Sequence, residues 1–562
     1  DYKVAEMIID RTESGLGWRI DAAKDIASID SVRADADNMT DAWKNVIDFW
    51  KLYNQSVLEI NPHAYTTAEI TDLYDLFKDE DKTVFSSDAD AERKFLQETG
   101  ITSVANYNYF FSLLPDLFSN YSFENGNSSW MSKEGKNFEL RNKMDTGWSG
   151  TNPGFLFQSP EDGVINSYTF FGNHDKPRAS HCLALDLGLF NSDFAPDKTS
   201  LNMKDSKGEP KTHREIAAEV MQRNEADIDF DKVNPMAIAM GARLNEAFDK
   251  TLSDSVLKTE IRNAISDLSQ GKFKGSTFDA TAFGTRPFEV AISSVLDQVE
   301  YKTGSSIPNK EEIEAKVLES ILIPAFDRYY SMYKLLVTLP GSPTDFAGDR
   351  VGASGYETKA KNYHQQNRNV IHWEWLNDSS DNKYKFVKEF YDKVNEFANL
   401  RSKKELSALN DGATVTLPVA LSEKQKDGKS EVKTSEKIQA MLRYNDKGSV
   451  VLTLHDSSGA NTPLGKKMNR SETKTDITSG SIYNRIVLDA ENTNAKQGLK
   501  HGLEVGTKFK NERSTDNSTY KIAKMIKDGK DFYYLKREDS QGREIPITIK
   551  PEDYNTLILY KI

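Results

Sequence analysis

The sequence predicts an α/β chain: a parallel sheet flanked by helices, followed by an antiparallel β domain. Three observations predict this. Short β-prone runs alternate with amphipathic helical patterns over roughly the first two-thirds of the 562 residues, the pattern of parallel βα units. Three of those runs end at a carboxylate, at Asp21, Glu69 and Asp175. From Lys404 onward the texture changes to alternating runs separated by Asp-Gly, Lys-Gly and Ser-Gly turns, which reads as antiparallel sheet.

The elements follow in order. Leu16 to Ile20 is a strand with Asp21 at its C-terminal end. Thr40 or Asp41 caps a helix that carries Trp43, Val46, Ile47 and Trp50 along one face, the spacing of a half-buried helix. After Asn61-Pro62 comes the strand Ala64 to Glu69, then a strand in Val104 to Phe111. The stretch from Tyr121 to Pro153 is rich in Asn, Ser and Gly and reads as a long surface loop. Tyr168 to Asn173 is the strand before Asp175. Helical patterns then cover His213 to Asn224, Pro235 to Leu252, Ser255 to Ser269, Pro287 to Val299 and Lys310 to Leu336. Phe386 to Leu400 is a further helix with Phe390, Val394 and Phe397 turned inward. In the last part, Ile438 to Tyr444, Ser449 to Leu454, Phe532 to Leu535 and Thr556 to Ile562 read as strands.

Composition narrows the function. A chain of this length exceeds one core, so two or three domains are expected. The net charge of −13 argues against nucleic acid or an anionic membrane as the main partner. No apolar run reaches the roughly 18 residues a membrane-spanning helix needs. Cys182 is the single cysteine; with no second thiol to pair and no base partner evident, it reads as packing rather than as a nucleophile. The chain opens on Asp1, inside a helical pattern, and reads as a piece of a longer polypeptide. No His-Glu-x-x-His or Cys-His spacing occurs, so no metal site is indicated.

Three carboxylates at the ends of neighbouring parallel strands would meet at one rim of a barrel. Such a cluster can cleave an acetal, which needs a proton on the leaving oxygen and support for an oxocarbenium-like transition state. Taken singly, each of these residues also reads as an ordinary strand-end polar group.

Gly17-Trp18-Arg19-Ile20-Asp21-Ala22-Ala23-Lys24, Ala64 to Ile70 and Phe170-Phe171-Gly172-Asn173-His174-Asp175-Lys176-Pro177-Arg178 resemble, in order, three motifs of the α-amylase superfamily of glycoside hydrolases. Leu339 to Asp349 resembles that family's last barrel strand. The resemblance implies a (β/α)8 TIM-type barrel followed by an antiparallel β-sandwich. It assigns Asp21 as nucleophile, Glu69 as general acid/base and Asp175 as transition-state stabiliser. It makes Arg19, Lys24 and His174 substrate-binding or supporting residues, with Arg19 keeping Asp21 ionised and Glu69 raised by burial and by Asp21.

The resemblance also exposes departures. Asp175 and Gly341 stand 166 positions apart, wider than the family spacing, so a helical insertion is expected. The resulting division is 1–185 (first barrel part), 186–309 (insertion), 310–403 (second barrel part) and 404–562 (β-sandwich). The Asp21 strand corresponds to the fourth of eight, and the family's Asp-x-Val-x-Asn-His motif is absent from this sequence. A preceding polypeptide segment is therefore expected to complete the barrel, because an open sheet leaves two edges. Asp25 stands where many relatives carry a histidine linked to calcium, which puts that calcium site in doubt; no cofactor is required.

The implied activity is retaining cleavage of an α-glucosidic bond in starch, glycogen or a related α-glucan through a covalent glycosyl-enzyme. Transglycosylation shares the first step and stays open. So does a non-catalytic carbohydrate-binding or adhesin role. A polymeric substrate fits an extracellular or cell-surface location, with a cytoplasmic one left open. Trp130, Trp148, Tyr363, Trp373 and Trp375 are candidate sugar platforms or ordinary packing residues, and Asp349 and Arg350 line the pocket or form a rim ion pair.

Overall fold

The computed structural model of the chain describes residues 12, 17–23, 39–70, 78–79, 82–83, 85, 88–105, 167–174, 178–185, 199–356, 368–379, 382–417, 419–424, 430–434, 438–456, 481–483, 485–488, 502–513, 516–527, 529–549 and 556–562. Asp175, Lys24, Asp25, Trp130, Trp148, Tyr363 and the expected 121–153 loop lie outside the described residues.

Five short strands form one parallel sheet: β1 (Trp18–Ile20), β2 (Thr66–Ala68), β3 (Ser103–Ala105), β4 (Ser167–Phe170) and β5 (Ser342–Thr344). They lie side by side in chain order. In register, Arg19 faces Thr67, Thr67 faces Ser103, Ala105 faces Tyr168 and Tyr168 faces Ser342. Because strand side chains alternate, this register sorts them into two faces. Ile20, Ala68, Ile70 and Val104 pack on Trp43, Val46, Ile47 and Trp50 of helix α1 (Met39–Ile60) and on Phe95 of α2 (Asp88–Thr99). The other face carries Arg19, Asp21, Thr67, Glu69, Ser103, Tyr168 and Phe170. No further strand pairs with the outer edge of β1 or β5 among the described residues.

The helices beyond β4 are α3 (Ala179–Leu185), α4 (His213–Met221), α5 (Pro235–Thr251), α6 (Ser255–Ser269), α7 (Ala280–Thr285), α8 (Phe288–Thr303), α9 (Lys310–Leu336) and α10 (Lys385–Ala398). Local chemistry sets their starts. Thr212 and Glu215 form a reciprocal capping box on α4, Asn234 caps α5 ahead of Pro235, and Asp254 caps α6. Each cap satisfies backbone N–H groups that lack helical partners. α3 to α6 and α8 to α10 share one continuous apolar core, which includes the buried Cys182.

α9 leads into β5 through a tight turn. Arg401, part-buried, donates to the carbonyls of Val337 (2.8 Å), Leu339 (2.6 Å) and Gly341 (2.6 Å). It thereby satisfies acceptors left over at the helix end; burial without a carboxylate partner pushes its guanidinium down to about 10. Gly341 has φ of +96°, and a Cβ there would stand 2.7 Å from the Ser167 carbonyl. Only glycine lets β5 approach β4 so closely.

The last part is antiparallel. An 11-stranded sheet includes β6 (Ala413–Leu417), β7 (Ala420–Lys424), β8 (Ser430–Thr434), β9 (Ile438–Tyr444), β10 (Val450–Asp456), β11 (Ile486–Leu488), β12 (Lys508–Asn511), β13 (Thr519–Lys527), β14 (Lys530–Glu538), β15 (Glu544–Ile545) and β16 (Thr556–Lys561). Strands from both halves of its hydrogen-bonded path contribute to one core, with Leu417, Leu442, Ile486, Leu535 and Leu559 all buried. The opposite phase of the same strands, Met441, Val451 and Ile558, joins the helical core instead. Buried Lys334 of α9 also faces Glu512 at 3.7 Å.

Elements that escape the sequence reading include α2, an antiparallel ribbon of Thr199–Lys204 and Pro210–Thr212, and α7. The ribbon strands and α7 are too short for hydrophobic periodicity to register. No helix among the described residues is long and apolar enough to cross a membrane.

Candidate active site

The carboxyl-terminal ends of β1 and β2 carry Asp21 and Glu69, as the runs in the sequence suggest. One guanidinium joins them. Arg19 Nη1 donates to Asp21 Oδ1, and Arg19 Nη2 donates to Glu69 Oε2 at 2.7 Å. The Ala22 N–H adds a second donor to Glu69 Oε2 at 3.3 Å. The environments differ: the Asp21 side chain is 73% exposed, whereas Glu69 is only 18% exposed. Asp21 is thus the accessible carboxylate and Glu69 the recessed one.

Beneath this pair the same face is polar. Tyr65 Oη and Ser103 Oγ lie 2.6 Å apart, and Ser103 donates to Thr67 Oγ1 at 2.7 Å. On β4, Tyr168 shares this face, in register with Ala105 and Ser342 on its neighbours. Burial is the main influence on the Tyr168 hydroxyl and pushes it up, Arg19 pulls it down, and Glu69 and Tyr65 push it up further. Its net shift is upward, so the phenol stays protonated.

His174 lies just beyond β4, and its carbonyl accepts from Arg368 Nε at 2.9 Å. Asp175 and Lys24 lie outside the described residues. Immediately after Asp175, the chain is anchored by Arg178, which is 1% exposed and pairs with Asp349, 2% exposed, at 2.9 Å. Arg178 also donates to the Ala347 carbonyl at 2.6 Å and lies over the Phe346 ring at 3.8 Å. Burial pushes the Asp349 carboxyl up to about 6, against the opposing pull of Arg178. Asp349 is therefore a buried structural partner rather than a pocket residue. Arg350 pairs with Asp345, which also accepts from Tyr333 at 3.1 Å. Trp375 is buried and stacks on Tyr384 and His372, whereas Trp373 is half exposed.

Tyr168, Tyr65, Ser103, Thr67 and Arg368 are the site residues that sequence reasoning missed. Strand phase was the available signal for the first four: they share the inward parity of Arg19 and Glu69. No group of three or more His, Cys, Asp or Glu side chains is arranged to hold a metal among the described residues.

No family model matches the chain. No curated protein matches it. Solved structures with a loose similarity include an Anoxybacillus α-amylase (10% identity, TM-score 0.33, covering 92% of this chain and 56% of that one). They also include AmyP in complex with maltotriose (11% identity, TM-score 0.37, covering 97% and 64%). A third is the debranching enzyme of Nostoc punctiforme (10% identity, TM-score 0.30, covering 100% and 61%). The chain thus spans about 56% to 64% of the length of these three structures.

Proposed function

We propose that this chain carries the catalytic rim of a retaining α-glucoside hydrolase of the α-amylase superfamily, acting on starch, glycogen or a related α-glucan. The observation that supports it most is the Arg19 bridge. One guanidinium binds Asp21 and Glu69 through its two terminal nitrogens, an arrangement compatible with the separation of about 5 Å that retention uses. They sit at the C-terminal ends of parallel strands, where barrel enzymes place their chemistry.

In this reading the exposed Asp21, ionised beside Arg19, attacks the anomeric carbon. Glu69 protonates the departing oxygen and then takes a proton from water. For the first step Arg19 Nη2 must give up Glu69, while Nη1 keeps Asp21. A sugar entering between the two carboxylates would supply the reason for that exchange. Asp175, with His174 and Lys24, would bind sugar hydroxyls more tightly in the transition state. The two carboxylates carry the reaction, so no cofactor is required, and calcium would serve only structure. A preceding segment would add the strands that complete the barrel alongside β1. A polymeric substrate fits an extracellular or cell-surface protein.

The test is incubation of the intact protein with soluble starch and a chromogenic α-glucoside, beside Asp21→Asn and Glu69→Gln. The reading expects cleavage by the parent and at least a 1,000-fold loss in each variant, on the order expected for removing a nucleophile or an acid/base. Products longer than the substrate would indicate transglycosylation. Binding without turnover by parent and variants alike would leave a carbohydrate-binding protein.

A further inference from the structure

The buried pair Arg178–Asp349 has no task in the proposed reaction, yet its place in the fold is specific. Arg178 follows the end of β4 and Asp349 follows the end of β5, and these two strands are neighbours in the parallel sheet. Arg178 donates its backbone N–H to the Gly355 carbonyl at 3.0 Å. Its Nη1 donates to the Ala347 carbonyl at 2.6 Å and to Asp349 Oδ1 at 2.9 Å. Upstream, Arg368 holds the His174 carbonyl at 2.9 Å. The stretch between His174 and Arg178, which contains Asp175 in the sequence, is therefore held at both ends.

The pair is only half satisfied. Asp349 Oδ2 is buried and has no hydrogen-bond partner among the described residues, a costly place for an anionic oxygen. A proton on Oδ2 removes that cost, but Oδ1 then accepts from Arg178 as part of a neutral acid, in a bond about half as strong. The surroundings bear on that proton from three sides. Burial pushes the Asp349 carboxyl up to about 6, Arg178 opposes this, and Asp345 adds to it. Asp345 is itself paired with Arg350 at 2.6 Å. Burial and Asp345 push up the Tyr329 and Tyr333 phenols of α9, which stay neutral. In α3, His181 accepts the Gly355 N–H and takes up a proton only near 3.

We propose that Asp349 is a positioning residue that acts through Arg178, an acid-released clasp between the ends of β4 and β5 that seats the rim segment following His174. This rests on the reading of function given above, in which that segment supplies the transition-state stabiliser. With Asp349 ionised, a charge-assisted bond holds the guanidinium against β5. With Asp349 protonated, Arg178 keeps the Ala347 carbonyl and a neutral acceptor, and the segment loosens.

Asp349→Asn keeps the shape and removes the titration. Two readouts decide, both on the intact protein. The first is hydrogen exchange over residues 178–185 at pH 5 and pH 7, corrected for the intrinsic pH dependence of exchange, which needs no activity. The parent is expected to lose protection about tenfold on acidification, the size of one net hydrogen bond, and Asp349→Asn to exchange at the faster rate at both pH values. In the second, kcat and KM are measured across pH on an α-glucan. Asp349→Asn is expected to lower kcat about tenfold at pH 7 with little change in KM, and to remove a limb near pH 6 that the parent shows.

Equal protection of the parent at both pH values, or a pH difference that persists in Asp349→Asn, would overturn the clasp. A parent-like kcat profile in a variant whose exchange no longer depends on pH would overturn the positioning role and leave packing. Should Asp349→Asn not fold, Arg178→Met with Asp349→Leu decides by the same exchange measurement: pH-independent protection supports the clasp, and the parent's pH dependence overturns it. An intact protein inactive on every α-glucan would sink the reading of function instead, and the exchange measurement would then decide the clasp alone.

Discussion

Arg19 and Glu69, fifty positions apart in the chain, meet at 2.7 Å across the first two strands of the parallel sheet. The same guanidinium holds Asp21, so its loss should disorder both carboxylates at once. Arg19→Gln is expected to lower kcat/KM on an α-glucan by about 100-fold or more. Stability should barely change, because pairs this exposed contribute about 0–1 kcal/mol. Steady-state kinetics beside a thermal melt separates the two effects; a large drop in melting temperature with parent-like kinetics would contradict the assignment.

The buried pair Arg178–Asp349 makes the opposite prediction. Both side chains are at most 2% exposed, so removing one leaves an uncompensated charge in the interior. Arg178→Ala should cost about 3–5 kcal/mol, read as a shift in urea midpoint. Replacing both partners together, as Arg178→Met with Asp349→Leu, should cost less than Arg178→Ala alone. A double replacement that costs the full sum of its single replacements would show that the two groups are not coupled.

Much of this was legible in the sequence, and the reasons are specific. α6 and α9 fall on the expected residues, because Asp254 marks the start of one and a long amphipathic run carries the other. β1 and β2 are shorter than the runs that predicted them, yet Asp21 and Glu69 still arrive at their ends, since the phase of a strand survives trimming. β3 (Ser103–Ala105) meets the expected Val104 to Phe111 stretch at Val104 and Ala105, the rest of that stretch lying outside the described residues. Tyr168 was not legible as a site residue, because a tyrosine in a strand usually signals packing. The seating of Arg401 was equally hidden, because its partners are backbone carbonyls that no side-chain pattern announces.

His181 supplies a pH dependence. It is fully buried, stacks on Phe288 at 5.0 Å and accepts the Gly355 N–H at 3.2 Å through Nδ1. Burial pushes its imidazole down to about 3, only partly offset by the Gly284 backbone. The unfolded chain takes up this proton near 6.5 and the folded chain does not until about 3. The stabilisation is therefore complete above 6.5 and is lost as pH falls from 6.5 toward 3. The total is a few kcal/mol, about 1.4 for each pH unit of difference. Urea midpoints at pH 7, 6, 5 and 4 should show the decline. In His181→Asn the protein should be weaker at pH 7, with a shallower slope below it. Parallel slopes for parent and variant would remove His181 as the cause.

Gly341 offers a local test of how β5 is seated. At φ of +96° and with the Ser167 carbonyl 2.7 Å from any added Cβ, Gly341→Ala must strain the turn or push β5 from β4. A destabilisation of more than about 1 kcal/mol is expected, measured as a urea midpoint, together with faster hydrogen exchange at Thr169 and Thr344. A neutral substitution would show that the two strands are not held this closely.

The most direct measurement is covalent trapping. A fluorinated α-glucosyl fluoride, whose ring fluorine slows breakdown of the intermediate more than its formation, is incubated with the intact protein and the digest is mapped by mass spectrometry. A glucosyl adduct on Asp21, absent from Asp21→Asn and removed by added acceptor sugar, is the predicted result. An active protein that carries its adduct on another side chain, or that inverts the anomeric configuration without any adduct, would contradict Asp21 as the attacking carboxylate.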